Sequence, residues 1–273
     1  MIIARIFPYT GQSYKKYSEC SAKYDNCIES KKPLQLFGLW SIIVSGMSYG
    51  SAFSDRYSYW GYSGWLNESV TFLAITLIYF LVLRPKKIVD ISIAPFDAAS
   101  GVKFVVMTII MFVIGAMVSS SETLNMAIFI GVIPYILSIL GGALIFRTPI
   151  KLDKEKGSWI VKDWNNNKSI LLQSFILMLG GMLSGFYLDD PMISTVSMIA
   201  LPFPLIAYFY PPHIRHIQRA RFFPQFILLM FLAVRVPWIL IPLAILFFSL
   251  RTFYYFRYGI IYPSFGVDHE EYA

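Results

Sequence analysis

The stretch that decides the fold is SILLQSFILMLGGMLSGFY at residues 169–187, then Leu188-Asp189-Asp190-Pro191, then MISTVSMIALPFPLIAYFY at 192–210. Neither flanking run holds an ionisable acid or base other than tyrosine, and each nears the about 20 residues that a helix needs to cross bilayer hydrocarbon. Two such runs joined by four residues read as a helical hairpin. A helix apolar on every side belongs in lipid or in the centre of a large protein, not on a water-facing domain.

Outward from the hairpin, the same uncharged texture recurs at 36–53, 69–83, 104–118, 126–146, 222–234 and 236–250. This predicts an all-α, polytopic transmembrane bundle of about eight spans. Runs 69–83, 104–118 and 236–250 reach full length if Arg84, Lys103 and Arg251 snorkel to the interface. The run 222–234 is the shortest. With 236–250 it forms either a hairpin turning at Arg235-Val236-Pro237 or one long kinked helix, which would leave seven spans. Composition agrees: 56% of the 273 residues are hydrophobic and 14% charged, against about 25% charged for a soluble domain.

Charge placement gives the orientation, because cytoplasmic loops collect Lys and Arg. Of the 23 Lys and Arg residues, all but Arg56 and Arg235 fall before residue 36, in 84–103, 147–168 or 211–221, or after 250. Those segments alternate with the others along the chain, so the pattern predicts an inside N-terminus and an inside C-terminus. A merged 222–250 helix would put the C-terminus outside. The expected location is the plasma (inner) membrane, multi-pass, with the first span as its own insertion signal. A net charge of +7 then reflects topology and the anionic inner leaflet, not a nucleic-acid partner. The expected organisation is a cytoplasmic segment 1–35, a four-helix half 36–146, a cytoplasmic interfacial connection 147–168 anchored by Trp159 and Trp164, a second half 169–257 and a tail 258–273.

The halves resemble each other. Gly46-Met47-Ser48-Tyr49-Gly50 with Asp55 matches Gly181-Met182-Leu183-Ser184-Gly185 with Asp190 at one offset of 135. Tyr79-Phe80 and Pro95 pair with Tyr208-Phe209 and Pro224, and Ile133-Pro134 and Phe146-Arg147 pair with Ile241-Pro242 and Phe256-Arg257. Four spans per half would relate them by an axis along the membrane normal. The Gly-x-x-x-Gly pairs also serve close helix packing in lipid. Prolines at 134, 202, 204 and 242 interrupt several spans.

Phosphate-loop, zincin and nucleophile-elbow signatures are absent. Cys20 and Cys27, with six residues between them on the cytoplasmic side, read as reduced thiols without a zinc pattern. No carboxylate, Lys or Arg falls within an uncharged run, which argues against a proton-coupled carrier. The chemistry-bearing residues gather in the loops after the second and sixth spans. The first offers Arg84, Lys86, Lys87, Asp90, Asp97 and Lys103, and the second His213, Arg215, His216, Arg219 and Arg221. Fixed cations at the mouth of an apolar, aromatic-lined cavity suit a phosphate or diphosphate headgroup carrying a hydrocarbon tail. The same cations also serve as topology signals that bind inner-leaflet lipid.

A doubled four-helix layout, an inside N-terminus and charged loops after the second and sixth spans resemble the UbiA-type intramembrane prenyltransferases. That resemblance implies prenyl diphosphate held by magnesium on two aspartate-rich loops. Here the first loop carries Asp90 and Asp97, seven apart with Pro95 between them, and the second carries His213 and His216 in place of carboxylates. As a divergent member, the chain would use Asp90 and Asp97 as catalytic magnesium holders, with the basic residues on diphosphate.

Three functions follow. The first is binding or handling of an isoprenoid-like or phospholipid-like amphiphile, alone or within a homo- or hetero-oligomer. The second is a prenyltransferase, the one reading under which a cofactor, magnesium, is expected. The third is a small-molecule permease with a path lined by Ser119–Ser121, Gln173 and Ser174.

Overall fold

The structure, a computed structural model, describes residues 2–31, 33–51, 65–79, 81, 98–119, 125–145, 147–148, 150–153, 158–161, 164–210, 216–217 and 240–259. The helices among them are α1 (Ile2–Ile6), α2 (Gln12–Lys31), α3 (Pro33–Ser51), α4 (Trp65–Ile78), α5 (Ala98–Ser119), α6 (Met126–Gly131), α7 (Ile133–Ile145), α8 (Trp164–Tyr187), α9 (Pro191–Ala200), α10 (Pro202–Phe209) and α11 (Leu240–Tyr258). Four described stretches are long and apolar enough to cross a membrane: Gly101–Ser119, Met126–Ile145, Asn167–Tyr187 and Pro191–Phe209. The expected run 222–234 lies outside the described residues.

Two of these four stretches are broken where proline demands it. Pro134 and Pro202 carry no N–H to donate, and the chain turns at Val132 and at Leu201 before each resumes as a helix. The turns keep bonded backbone: the Val132 N–H donates to the Ile128 carbonyl at 3.2 Å and the Leu201 N–H to that of Ser197 at 2.9 Å. The expected interruptions at Pro134 and Pro202 are therefore present, whereas α10 runs on through Pro204 and α11 through Pro242.

Two sets of close helix contacts organise the bundle. In the first, α3 and α5 run parallel, with Gly46 against Phe112 and Gly50 against Ala116. A Cβ on Gly46 would collide with the Phe112 carbonyl oxygen, and one on Gly115 with that of Ile43. The backbones thus touch directly, the close approach that small residues permit in lipid. Trp40 on α3 donates its indole N–H to Thr76 on α4 at 3.0 Å.

In the second, α7 and α8 run antiparallel. A Cβ on Gly141 would meet Met178 and the Ser174 carbonyl, and one on Gly181 would meet Pro134 and Ser138. The Ser174 hydroxyl donates to the Gly141 carbonyl at 2.7 Å. Gly185 faces Ile193 and Ser194 of α9, which lets the α8–α9 hairpin close tightly. The two Gly-x-x-x-Gly pairs therefore both pack helices, but against different neighbours: Gly46 and Gly50 meet α5, whereas Gly181 meets α7 and Gly185 meets α9.

One core joins the two sets. Leu39, Ile43 and Met47 of α3, Phe104 and Phe112 of α5, Tyr135 and Ile139 of α7, and Ile193 and Val196 of α9 form a single buried cluster. The Phe112 and Tyr135 rings lie 4.8 Å apart near its centre. A smaller cluster of Ile145, Leu171, Met178, Ala200, Ala207 and Ile217 sits where α7 ends and α8 begins.

Two further regions hold structure of their own. The connection 147–168 holds an antiparallel hairpin of β1 (Ile150–Asp153) and β2 (Ser158–Val161), with Ile150 opposite Val161 and Asp153 opposite Ser158. Apolar and charged residues alternate along Ile150-Lys151-Leu152-Asp153, a period of two that a search for helical runs passes over. The aromatic run after residue 250 continues α11 to Tyr258. Tyr255 and Phe256 are buried against Tyr14, with Ile3, Ala4 and Phe7 packed around them. The Tyr14 hydroxyl donates to the Tyr255 carbonyl at 3.0 Å and the Tyr255 hydroxyl to the Phe7 carbonyl.

The glycine geometry separates three substitutions of equal chemistry. Gly46→Ala and Gly115→Ala each force backbones apart, with an expected cost of about 1–3 kcal/mol. A Cβ on Gly180 meets only Leu137 Cδ1, at 3.5 Å, so Gly180→Ala should be neutral or stabilise slightly through helix propensity. Unfolding of the three variants in detergent micelles measures the difference, and equal losses at all three positions would contradict the backbone contact.

Candidate functional site

The candidate site lies where α7 ends, α8 begins and α10 ends. Its floor is the small cluster around Leu171 and Ala207, with Trp164, Val161, Phe203 and Tyr208 packed at its edge. Its rim is cationic. Lys168, in the first turns of α8, holds its ammonium 4.4 Å from the centre of the Tyr208 ring at the end of α10. A cation over an aromatic face gains about 0.5–1 kcal/mol when exposed and more when water is excluded. One turn earlier on α10, Phe203 stacks on His216, with ring centres 6.0 Å apart and planes at 22°. Arg147 is exposed just past the end of α7.

Local sequence explains this placement. Pro202 and Pro204 restart the helix as α10 after the break, and Phe203 and Tyr208 of α10 pack on the cluster around Leu171 and Ala207. Trp164 and Lys168 lie four apart in the first turns of α8 and share one face.

Of the residues expected to form the site, Arg84, Lys86, Lys87, Asp90, Asp97, His213, Arg215, Arg219 and Arg221 lie outside the described residues. Lys103 is described and exposed in the second turn of α5, within the apolar stretch that starts at Gly101, where a long aliphatic stem lets its charge reach the interface. His216 is described, half-buried against Phe203. Lys168 was counted only as a topology cation, and nothing in the sequence signals its contact with Tyr208, forty positions away. Among the described residues, no three His, Cys, Asp or Glu side chains gather as a metal site.

Asp190 is a second residue that sequence reasoning underrated. It is 4% exposed. Its Oδ1 accepts the Met192 and Ile193 N–H groups at 3.1 and 3.3 Å, capping α9. Its Oδ2 accepts the Tyr135 hydroxyl of α7 at 3.0 Å. The preceding turn closes in the Schellman pattern, with the Asp190 N–H on the Gly185 carbonyl at 2.8 Å and the Asp189 N–H on that of Phe186 at 3.1 Å. Asp189 takes the left-handed position at φ 53°, which glycine usually fills. The available signal was Asp190-Pro191, a cap residue before a first-turn proline.

Of the residues expected to line a permeation path, three are described. Ser174 is buried with its hydroxyl on the Gly141 carbonyl, and Gln173 is on the exposed side of α8. Ser119 is half-buried, and residues 120–121 lie outside the described residues.

Comparison of the chain with protein-family models, with curated proteins and with solved structures gives no significant match.

The Asp190 geometry is testable. Asp190→Ala removes the cap, worth about 1–2 kcal/mol, and leaves the buried Tyr135 hydroxyl without that acceptor at a further cost of about 1–3 kcal/mol. Tyr135→Phe should cost less, and the double variant less than the sum of the two. A double-mutant cycle read by unfolding in micelles measures the coupling; additive losses would contradict the bond.

Proposed function

We propose that this chain is a multi-pass membrane protein of the plasma (inner) membrane that holds an anionic amphiphile, isoprenoid-like or phospholipid-like, by its headgroup at the cytoplasmic end of the bundle. The observation that carries this reading is the Lys168–Tyr208 contact beside the His216–Phe203 stack, over an apolar floor. A cation held on an aromatic face at a helix-bundle rim suits a phosphate above and a hydrocarbon tail alongside. The basic residues of the loops 84–103 and 211–221 would supply the remaining positive charge.

Eight spans with both ends inside is part of the same proposal. Parallel packing of α3 on α5 and antiparallel packing of α7 on α8 are what first, third, fourth and fifth crossings require. The contact of Tyr14 with Tyr255, 241 residues apart, favours both termini on one side. A duplication of four spans remains compatible with this arrangement, since the stretch that would correspond to α5 lies outside the described residues.

Labelling, crosslinking, binding and diphosphate-release measurements test the reading. Cysteine labelling in sealed vesicles should find positions 154 and 215 on one face; opposite faces would end the topology and the headgroup site together. A photoactivatable prenyl phosphate in reconstituted protein should crosslink near the start of α8 and the end of α10. Lys168→Gln combined with neutral Arg84, Lys87, Arg215 and Arg219 should weaken binding at least tenfold, about 1.4 kcal/mol. Absence of binding, or binding unchanged by those substitutions, would refute the proposal. Magnesium-dependent diphosphate release that Asp90→Asn or Asp97→Asn abolishes would move the protein to the prenyltransferase reading.

A further inference from the structure

We infer that the N-terminal helices α1 and α2 lie on the membrane as an interfacial anchor, with an anionic phospholipid surface as their partner. The inference rests on the proposed reading of α11 as a span, and on depth. The outward apolar residues of α11, among them Ile241, Ile245 and Phe248, stop before Arg251. Tyr255 follows Arg251 by four residues, about 6 Å of helix. The bonds from Tyr14 to Tyr255 and from Tyr255 to Phe7 therefore hold residues 7–14 at the level where α11 leaves hydrocarbon.

The side chains divide as an anchor needs. Ile3 and Phe7, four apart, turn inward onto Tyr255 and Phe256. Ile2 and Ile6, also four apart, turn outward and are 76% and 62% exposed, and Tyr9 beside them is 67% exposed. On α2, Tyr17 and Tyr24 lie seven apart on one exposed face. In water these groups would form an apolar patch without purpose; at headgroup depth they are the aliphatic and aromatic face of an interfacial helix. Arg5, Lys15, Lys16 and Lys23 are exposed around them, which matches an anionic leaflet. Burial, with the neighbouring Tyr9 and Tyr255 phenols, raises the Tyr14 hydroxyl above its usual value, so it remains a donor at neutral pH.

The test uses the full chain with Cys20 and Cys27 replaced by serine, a spin label at one cysteine per variant, and vesicles of phosphatidylcholine with or without phosphatidylglycerol. Labels at Ile6→Cys and Tyr9→Cys should collide with oxygen more than with a water-soluble nickel chelate. A Lys16→Cys label should do the opposite, and Phe248→Cys should be the most lipid-immersed. Labels at 6 and 9 as nickel-accessible as the label at 16, with the one at 248 shielded, would overturn the anchor while leaving α11 as a span. A nickel-accessible label at 248 would overturn the span and the anchor together. Omitting phosphatidylglycerol, or changing Lys15, Lys16 and Lys23 to Gln, should shift the labels at 6 and 9 toward the nickel chelate; equal immersion would overturn the anionic partner.

Discussion

Direct backbone contact between helices is the constraint on which this structure depends. Lipid chains are as apolar as leucine, so burying one helix on another gains little by transfer from solvent. What remains is dispersion at short range and a few interhelical hydrogen bonds, and both need the helix axes close together. Gly46, Gly50 and Gly115 bring α3 onto α5, and Gly141, Gly181 and Gly185 bring α8 onto α7 and α9. The Ser174 to Gly141 bond exists only because a glycine leaves its carbonyl open to the neighbouring helix.

Hydrocarbon also explains which features were legible in the sequence. Partitioning of a helix averages over about 20 residues, so the runs 104–118, 126–146, 169–187 and 192–210 predict the observed stretches to within three residues at either end. Proline acts on its own backbone, and Pro134 and Pro202 announced the breaks. The Tyr14–Tyr255 contact joins residues too far apart for any periodic pattern to reveal. The β1–β2 hairpin was missed because it is short and interrupts a chain otherwise read at helical spacing. At the candidate site, the sequence points to cations at loop positions, of which His216 is described against Phe203 at the rim and Lys103 in the second turn of α5, apart from the described contacts of the rim. It could not assign Lys168 to Tyr208, because that contact depends on how α8 and α10 lean together.

Several of the buried polar groups follow one rule, while the Ser138 and Ser197 hydroxyls have no hydrogen-bond partner among the described residues. In a medium without water, a hydroxyl or carboxylate must find its partner within the protein. Thr108, Ser45 and Ser194 each donate to the carbonyl four residues back on their own helix, which hides the group without linking helices. Asp190 does more, because one carboxylate serves the α9 cap and the Tyr135 hydroxyl of α7. It fixes the hairpin to the helix it packs on.

The two ends of the α7–α8–α9 unit therefore differ in kind. At the Asp190 end the polar group is enclosed and turned inward, where it can specify packing but offers little to a ligand. At the Lys168 end the cation rests on the outside of an aromatic ring, with histidine and apolar side chains beside it. Between them the core is filled by Tyr135, Phe112 and their neighbours, and Ser174, one of the residues expected to line a path, is committed to a helix contact. A solute crossing this part of the bundle would have to part rings that pack 4.8 Å apart. An amphiphile faces no such barrier, because its headgroup would need only the rim while its tail lay along the outward apolar sides of Leu172 and Ile176. Under the proposed reading, a headgroup held at the Lys168 rim therefore needs no path between these rings.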